Sequence, residues 1–257
     1  MPYLPGTNMS ETDVSDVIHF FFLLDASGSM SGASIQTLNE AMANVLPAIQ
    51  RVGNSKEITP IVNVLAFNNG VQWLCGTSAT TGIEAKDIIW NDISAYGGTD
   101  TAGAITDILE GLSIRHLGYH SYRPVIILIT DGYSNDAHAT AAAVDALVKR
   151  QKSIRVAVGV NGYNPSELDT FASAANVTIV DDLGNEVSAK EQKLIFPVDR
   201  ADQLAYVIRD IAVSSLISSK LMGETATETN DNTSNGEEPV QLELTQSDDA
   251  EEGGGWL

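Results

Sequence analysis

Two hydrophobic patterns alternate along the chain. Residues 17–24 (VIHFFFLL) and 125–129 (VIILI) are almost continuously apolar, as expected of strands buried on both faces of a parallel sheet. Residues 61–67 and 154–160 predict two further strands, and residues 71–74 a short partner reached through Asn68, Asn69 and Gly70. Between the strands, apolar residues recur at helical spacing. Ile35, Leu38, Met42, Val45, Leu46 and Ile49 share one face, and Ala102, Ile105, Ile108, Leu109 and Leu112 share another. Pro47 falls inside the first of these and predicts a kink or a split, because its ring removes a backbone donor. Residues 139–152, 166–174 and 201–218 predict three more helices, the last turning Leu204, Val207, Ile208, Ile211 and Leu216 inward.

Strands alternating with helices predict an α/β fold with a doubly wound, mostly parallel central sheet of about six strands flanked by helices. Residues 176–198 fit this less cleanly. The last sheet strand is expected at residues 194–198, and the stretch before it is expected to form a loop or small hairpin. Beyond residue 221 the chain turns to Glu, Thr, Asn, Asp, Ser and Gly, too few apolar groups to offset the entropy of ordering. The expected organisation is an N-terminal arm over residues 1–16, one domain over residues 17–220 and a disordered acidic tail over residues 221–257.

Composition narrows the function classes. The 257 residues, 43% hydrophobic, suffice for one sizeable core. A lone cysteine, Cys75, cannot form an internal disulfide, so no oxidising compartment is implied. Net charge is −20: residues 1–220 hold 24 acidic and 14 basic side chains, net −10, and the rest carries ten acids with no Lys or Arg. Both parts would be repelled by a phosphate backbone, which argues against nucleic-acid binding. The first sixteen residues lack the cations and apolar stretch of a targeting signal, and the longest apolar run is far short of the roughly 20 residues that span a bilayer. A cytoplasmic protein with no membrane span is expected.

The candidate chemistry lies where strands end. In an open parallel sheet, ligands bind in the crevice at the carboxyl ends of the strands. The first strand delivers Asp25, Ser27 and Ser29 in DASGSM. The strand PVIILITDG delivers Asp131, and AYGGTDTAG presents Thr99, Asp100 and Thr101 ahead of a helix. Two carboxylates and several hydroxyls without a nearby His or Cys form an all-oxygen set, which selects Mg²⁺, Mn²⁺ or Ca²⁺ over zinc or copper. Ala26 and Gly28 are small enough to let the backbone turn tightly, so that alternate hydroxyls face one centre. Neutral hydroxyl ligands would leave the cation electron-poor and able to attract an external anion. Each motif alone reads as a turn or a cap; three in this order point to one site. Asp100 and Thr101 read as a helix cap and as support behind the ligands. Asp136 reads as a loop or cap residue, His116, His120 and His138 as surface or helix-end residues, and Cys75 as a small apolar residue beside the hairpin.

These residues match a family pattern. DASGSM has the form DxSxS, GGTDT supplies the threonine loop and ITDG the distal aspartate, so the chain resembles a von Willebrand factor type A domain with a metal-ion-dependent adhesion site. The resemblance runs over residues 17–219. HFFFLLDASGSMSGASIQTLNEAM, YGGTDTAGAI and YRPVIILITDGYSND are similar to the bacterial TerY group, associated with tellurite and stress resistance. It implies direct coordination of Mg²⁺ by Ser27, Ser29 and Thr99, with Asp25 and Asp131 acting mainly through bound water. It further implies a non-enzymatic module whose protein partner completes the metal shell with an Asp or Glu, in systems that also contain a kinase and a phosphatase.

The competing class is a Mg²⁺-dependent phosphohydrolase of the haloacid dehalogenase type, which also carries an Asp at the end of its first strand. That chemistry needs a second acid two residues on, where this chain has Ser27, and no lysine is placed to steady a phosphoryl group. No GxxxxGK[ST] is present for a nucleotide. In the tail, Trp256 and Leu257 follow an acidic run and three glycines. They read either as part of a solubilising tail or as a docking peptide for a partner pocket.

Overall fold

β1 (Asp16–Asp25) divides the hydrophobic interior in two, because alternate side chains of a strand point to opposite faces. Ile18, Phe20, Phe22 and Leu24 enter one core, and Phe21 and Leu23 the other. The computed structural model describes residues 16–76, 82–109, 111–112, 117, 121–150, 152–160, 162–180, 186–198, 203, 206–207, 209–211, 214 and 240–245. After β1 come α1 (Ala33–Lys56), β2 (Ile58–Phe67), β3 (Val71–Cys75), β4 (Ile83–Glu84) and α2 (Thr101–Ile108). β5 (Val125–Thr130), α3 (Ala137–Arg150), β6 (Ile154–Val160) and α4 (Pro165–Phe171) follow, then β7 (Ala174–Val180), β8 (Glu186–Lys193), β9 (Ile195–Val198) and β10 (Val240–Thr245).

The main sheet runs β3-β2-β1-β5-β6-β9, with β4 paired to β2. β2, β1, β5, β6 and β9 are parallel; β3 and β4 are antiparallel to β2. Leu38, Met42, Val45 and Ile49 of α1 fill one core, together with Val207 and Ile211. Ile105 and Ile108 of α2, Val144 and Leu147 of α3, and Leu168 and Phe171 of α4 fill the other. This is the doubly wound sheet expected. β1 sits where the winding reverses, with β2 on one side and β5 on the other, and such a point opens a crevice at the strands' carboxyl ends.

Two expectations change, those for Pro47 and for the tail, and the small hairpin expected before the last sheet strand is present. Pro47 does not split α1, which continues to Lys56. Pro47 and Ala43, whose carbonyl loses its helical donor, both face solvent, so water can satisfy the freed oxygen while the buried face holds the helix. The stretch before β9 is a hairpin of β7 and β8, antiparallel from Ala174↔Lys193. The acidic tail is not wholly without structure: β10 pairs in parallel with β7 from Val240↔Ala175 to Thr245↔Val180, completing a second sheet, β10-β7-β8. VQLELT alternates apolar and polar residues, a local strand signal that the polar composition around it hides. Residues 1–15 of the arm, most of the helix over 201–218, His116, His120, Trp256 and Leu257 lie outside the described residues. Among the described residues no helix is long and apolar enough to cross a membrane.

Candidate metal centre at the strand ends

Three loops at the carboxyl ends of the sheet are tied to one another in a closed cycle. The loop after β1 bonds the loop before α2: Gly28 N–H donates to Gly97 O at 2.9 Å, and Tyr96 N–H to Ala26 O at 2.8 Å. That second loop bonds the loop after β5, with Asn135 N–H donating to Thr99 O at 2.9 Å and Thr99 N–H to Asn135 Oδ1 at 3.0 Å. The third loop returns to the first, as Thr130 Oγ1 donates to Asp25 Oδ2 at 2.6 Å. Gly28 and Gly97 make the first join: a Cβ on Gly28 would meet Gly97 O at 3.1 Å, and Gly97 has φ +79, the left-handed region glycine favours.

The cycle closes around Asp25. Its residue is fully buried, and Oδ1 accepts the N–H of Ser27 at 2.8 Å. Burial pushes the Asp25 carboxyl above its usual range; bonds from Ser27 and Thr130 oppose this, and the charge of Asp131 adds to it. Ser27 Oγ and Ser29 Oγ are 3.0 Å apart, Ser27 buried and Ser29 exposed. Thr99 and Asp131 are buried as well. Asp131 Oδ1 accepts the Tyr133 N–H at 3.3 Å, and its carbonyl accepts the N–H of Asn164 at 2.9 Å.

Asp25, Ser27, Ser29, Thr99 and Asp131 therefore stand on loops that the fold holds together. Asp100 caps α2, accepting Gly103 N–H at 2.9 Å, and Thr101 is the buried first residue of that helix. Asp136 accepts Ala139 N–H at 2.9 Å near the start of α3, and His138 is exposed there. Cys75 is buried, its thiol donating to Val62 O at 3.2 Å.

The donors fit a hard cation. Asp25 is a buried carboxylate near a second one, and no described ion pair involves either, so a cation would relieve an uncompensated charge. Among the described residues no three His, Cys, Asp or Glu side chains converge, so coordination would depend on the hydroxyls of Ser27, Ser29 and Thr99.

Sequence reasoning missed Thr130, Asn135 and Asn69. Asn69 Oδ1 accepts Gly98 N–H at 2.6 Å, and Asp100 N–H donates to Asn68 O at 2.7 Å, so the β2–β3 turn supports the threonine loop from behind. Thr130 left a signal, as a polar residue closing an otherwise apolar strand. Asn69 and Asn135 left only the turn propensity of asparagine.

Comparison with known proteins agrees with this fold. The family model for the von Willebrand factor type A domain matches residues 20–192. The collagen alpha-5(VI) chain of Mus musculus is 28% identical over 178 residues, 69% of this chain. The solved von Willebrand factor type A protein from Catenulispora acidiphila aligns over 79% of this chain and 43% of its own, at 15% identity and a TM-score of 0.52. Manganese-loaded Plasmodium vivax TRAP protein aligns over 77% of this chain and 74% of its own, at 15% identity and a TM-score of 0.51. The chain spans 6% of the collagen chain it matches.

Proposed function

The chain belongs to the von Willebrand factor type A domain family, and on that premise we propose that it is a metal-dependent protein-interaction module. Ser27, Ser29 and Thr99 hold Mg²⁺, with Mn²⁺ or Ca²⁺ as alternatives; Asp25 and Asp131 balance its charge through bound water. When bound, the ion supplies a Lewis-acidic position that a partner's Asp or Glu carboxylate can occupy. The observation that carries this reading is the closed cycle of loop bonds around Asp25, which orders the oxygen donors before any ligand arrives. The manganese-loaded state of the TRAP structure supports a divalent cation in a protein of this fold.

The role is non-enzymatic. Ser27 stands where a phosphohydrolase would carry its second acid, and its backbone N–H orients Asp25. The likeness of its motifs to the TerY group supports a place in a cytoplasmic bacterial stress-resistance or defence system, beside a kinase and a phosphatase. A pull-down from the source cell with wild type and Asp25→Ala, each with and without Mg²⁺, tests the reading. A partner captured only by wild type in Mg²⁺ supports it; capture indifferent to both opposes it.

A further inference from the structure

The charge of the domain is polarised along its strands. Residues 25–32, 67–70, 94–101, 130–137 and 160–165, which follow β1, β2, β5 and β6 or precede α2, contain no Lys or Arg but contain Asp25, Asp100, Asp131 and Asp136. Glu167 joins them, accepting the Ser134 N–H at 3.1 Å. Arg51, Lys56, Arg123, Lys149, Arg150 and Lys152 gather at the opposite end, where α1 and α3 finish and β5 and β6 begin.

Two exposed aromatics stand on this acidic face. Tyr96 is 61% exposed and Tyr133 57% exposed, one three residues before Thr99 and the other two after Asp131. Their backbones are fixed although their rings are free: Tyr96 N–H donates to Ala26 O, and Tyr133 N–H to Asp131 Oδ1. Large aromatic surface on a pre-ordered backbone loses little entropy when a partner covers it.

We infer that Tyr96 and Tyr133 form the specificity rim of the site, and that the rim takes a protein surface presenting one carboxylate among Arg and Lys side chains. The inference rests on the metal-dependent reading above. A divalent cation offsets two of the carboxylates and leaves the face negative, so a partner's acid can approach only when basic groups surround it. Tyrosine faces attract those cations, guanidinium most of all.

The test uses the full chain and three fluorescein-labelled peptides of equal length. One has a central Asp flanked by Arg and Lys, the second replaces that Asp by Asn, and the third flanks the Asp with Glu. Anisotropy in Mg²⁺ should show the basic-flanked Asp peptide binding best. Tyr96→Ala and Tyr133→Ala should each weaken it about five- to tenfold, while Tyr96→Phe, which keeps the ring, should not. Binding to the acidic segment beyond residue 221 would ignore both tyrosines, so the variants separate the two sources. Equal binding of the Glu-flanked peptide, unchanged binding by both alanine variants, or no binding of any peptide overturns the rim. Equal binding of Asp and Asn peptides with no need for Mg²⁺, but still lost in the tyrosine variants, overturns the metal reading and leaves the rim standing.

Discussion

Thr130 Oγ1 donates to Asp25 Oδ2 at 2.6 Å across the β1–β5 pair, and the same oxygen accepts Gly132 N–H at 2.8 Å. One hydroxyl thus holds the aspartate that ends β1 and the turn that carries Asp131. Thr130→Val keeps the shape and leaves a buried carboxylate oxygen and a buried N–H unpaired. A loss of about 1–3 kcal/mol in urea unfolding and a weaker cation affinity are expected. Thr130→Ser should keep most of both, and equal losses in the two variants would show that the methyl group matters instead.

Gly97→Ala tests the join between the first two loops. A Cβ there would lie 2.7 Å from Asn69 Nδ2, on a backbone with φ +79. The strain should cost about 1–2 kcal/mol, read as a lower Tm, and should displace Thr99 enough to reduce Mg²⁺ affinity. A variant with unchanged Tm would mean that the loop relaxes freely.

The two threonines of the GGTDT loop should separate. Thr99→Ala removes a hydroxyl proposed to hold the ion, so cation affinity should fall with little change in Tm. Thr101→Ala removes a buried group from the first turn of α2, so stability should fall with cation affinity nearly kept. The reverse pattern in calorimetry and melting would place the ligand two residues along.

His19 is buried, its Nε2 lies 3.2 Å from Leu117 O as the donor of a neutral ring, and burial holds its pKa down at about 4. The unfolded chain therefore takes up a proton near pH 6.5 that the folded protein refuses. Stability is full above that value and is lost as pH falls toward 4, by up to about 3 kcal/mol. His19→Phe, which can still pack beside Phe21, should flatten the urea midpoint over that window. An unaltered acid slope would assign it to the carboxylates.

Leu242 faces Val177 in the β10–β7 register. β10 is an edge strand, so only alternate N–H groups face β7, and a variant carrying both Leu242→Pro and Glu243→Pro removes one of them whichever way the alternation runs. Hydrogen exchange should show protected amides over residues 240–245 in wild type and loss of protection there in the variant. Fast exchange in wild type would contradict the pairing.

The main sheet and the order of its helices were legible because its central strands are apolar runs broken only by single polar residues such as His19, Asn63 and Arg155, and each helix carries one apolar face. The five proposed site residues were legible because Asp25 and Asp131 sit where such runs stop, and a polar residue there has no packing role. What the sequence hid was contact across loops. Asn69 and Asn135 support Thr99 from positions 30 and 36 residues away, and nothing local in NNG or YSND marks the partner. β10 was hidden for the opposite reason: its six-residue alternation lies within a long polar segment whose average composition argues for disorder.

Titration of the metal-free full chain with Mg²⁺ and with Mn²⁺, by calorimetry on wild type and Asp25→Asn, bears most directly on the proposed site. Asn keeps the size of Asp25 and an oxygen for the Ser27 N–H while removing the buried charge. One saturable site in wild type that is lost in Asp25→Asn, with the variant still folded by its urea transition, is the expected result. No cation binding by wild type, or the same affinity in both proteins, would contradict a metal centre built around Asp25.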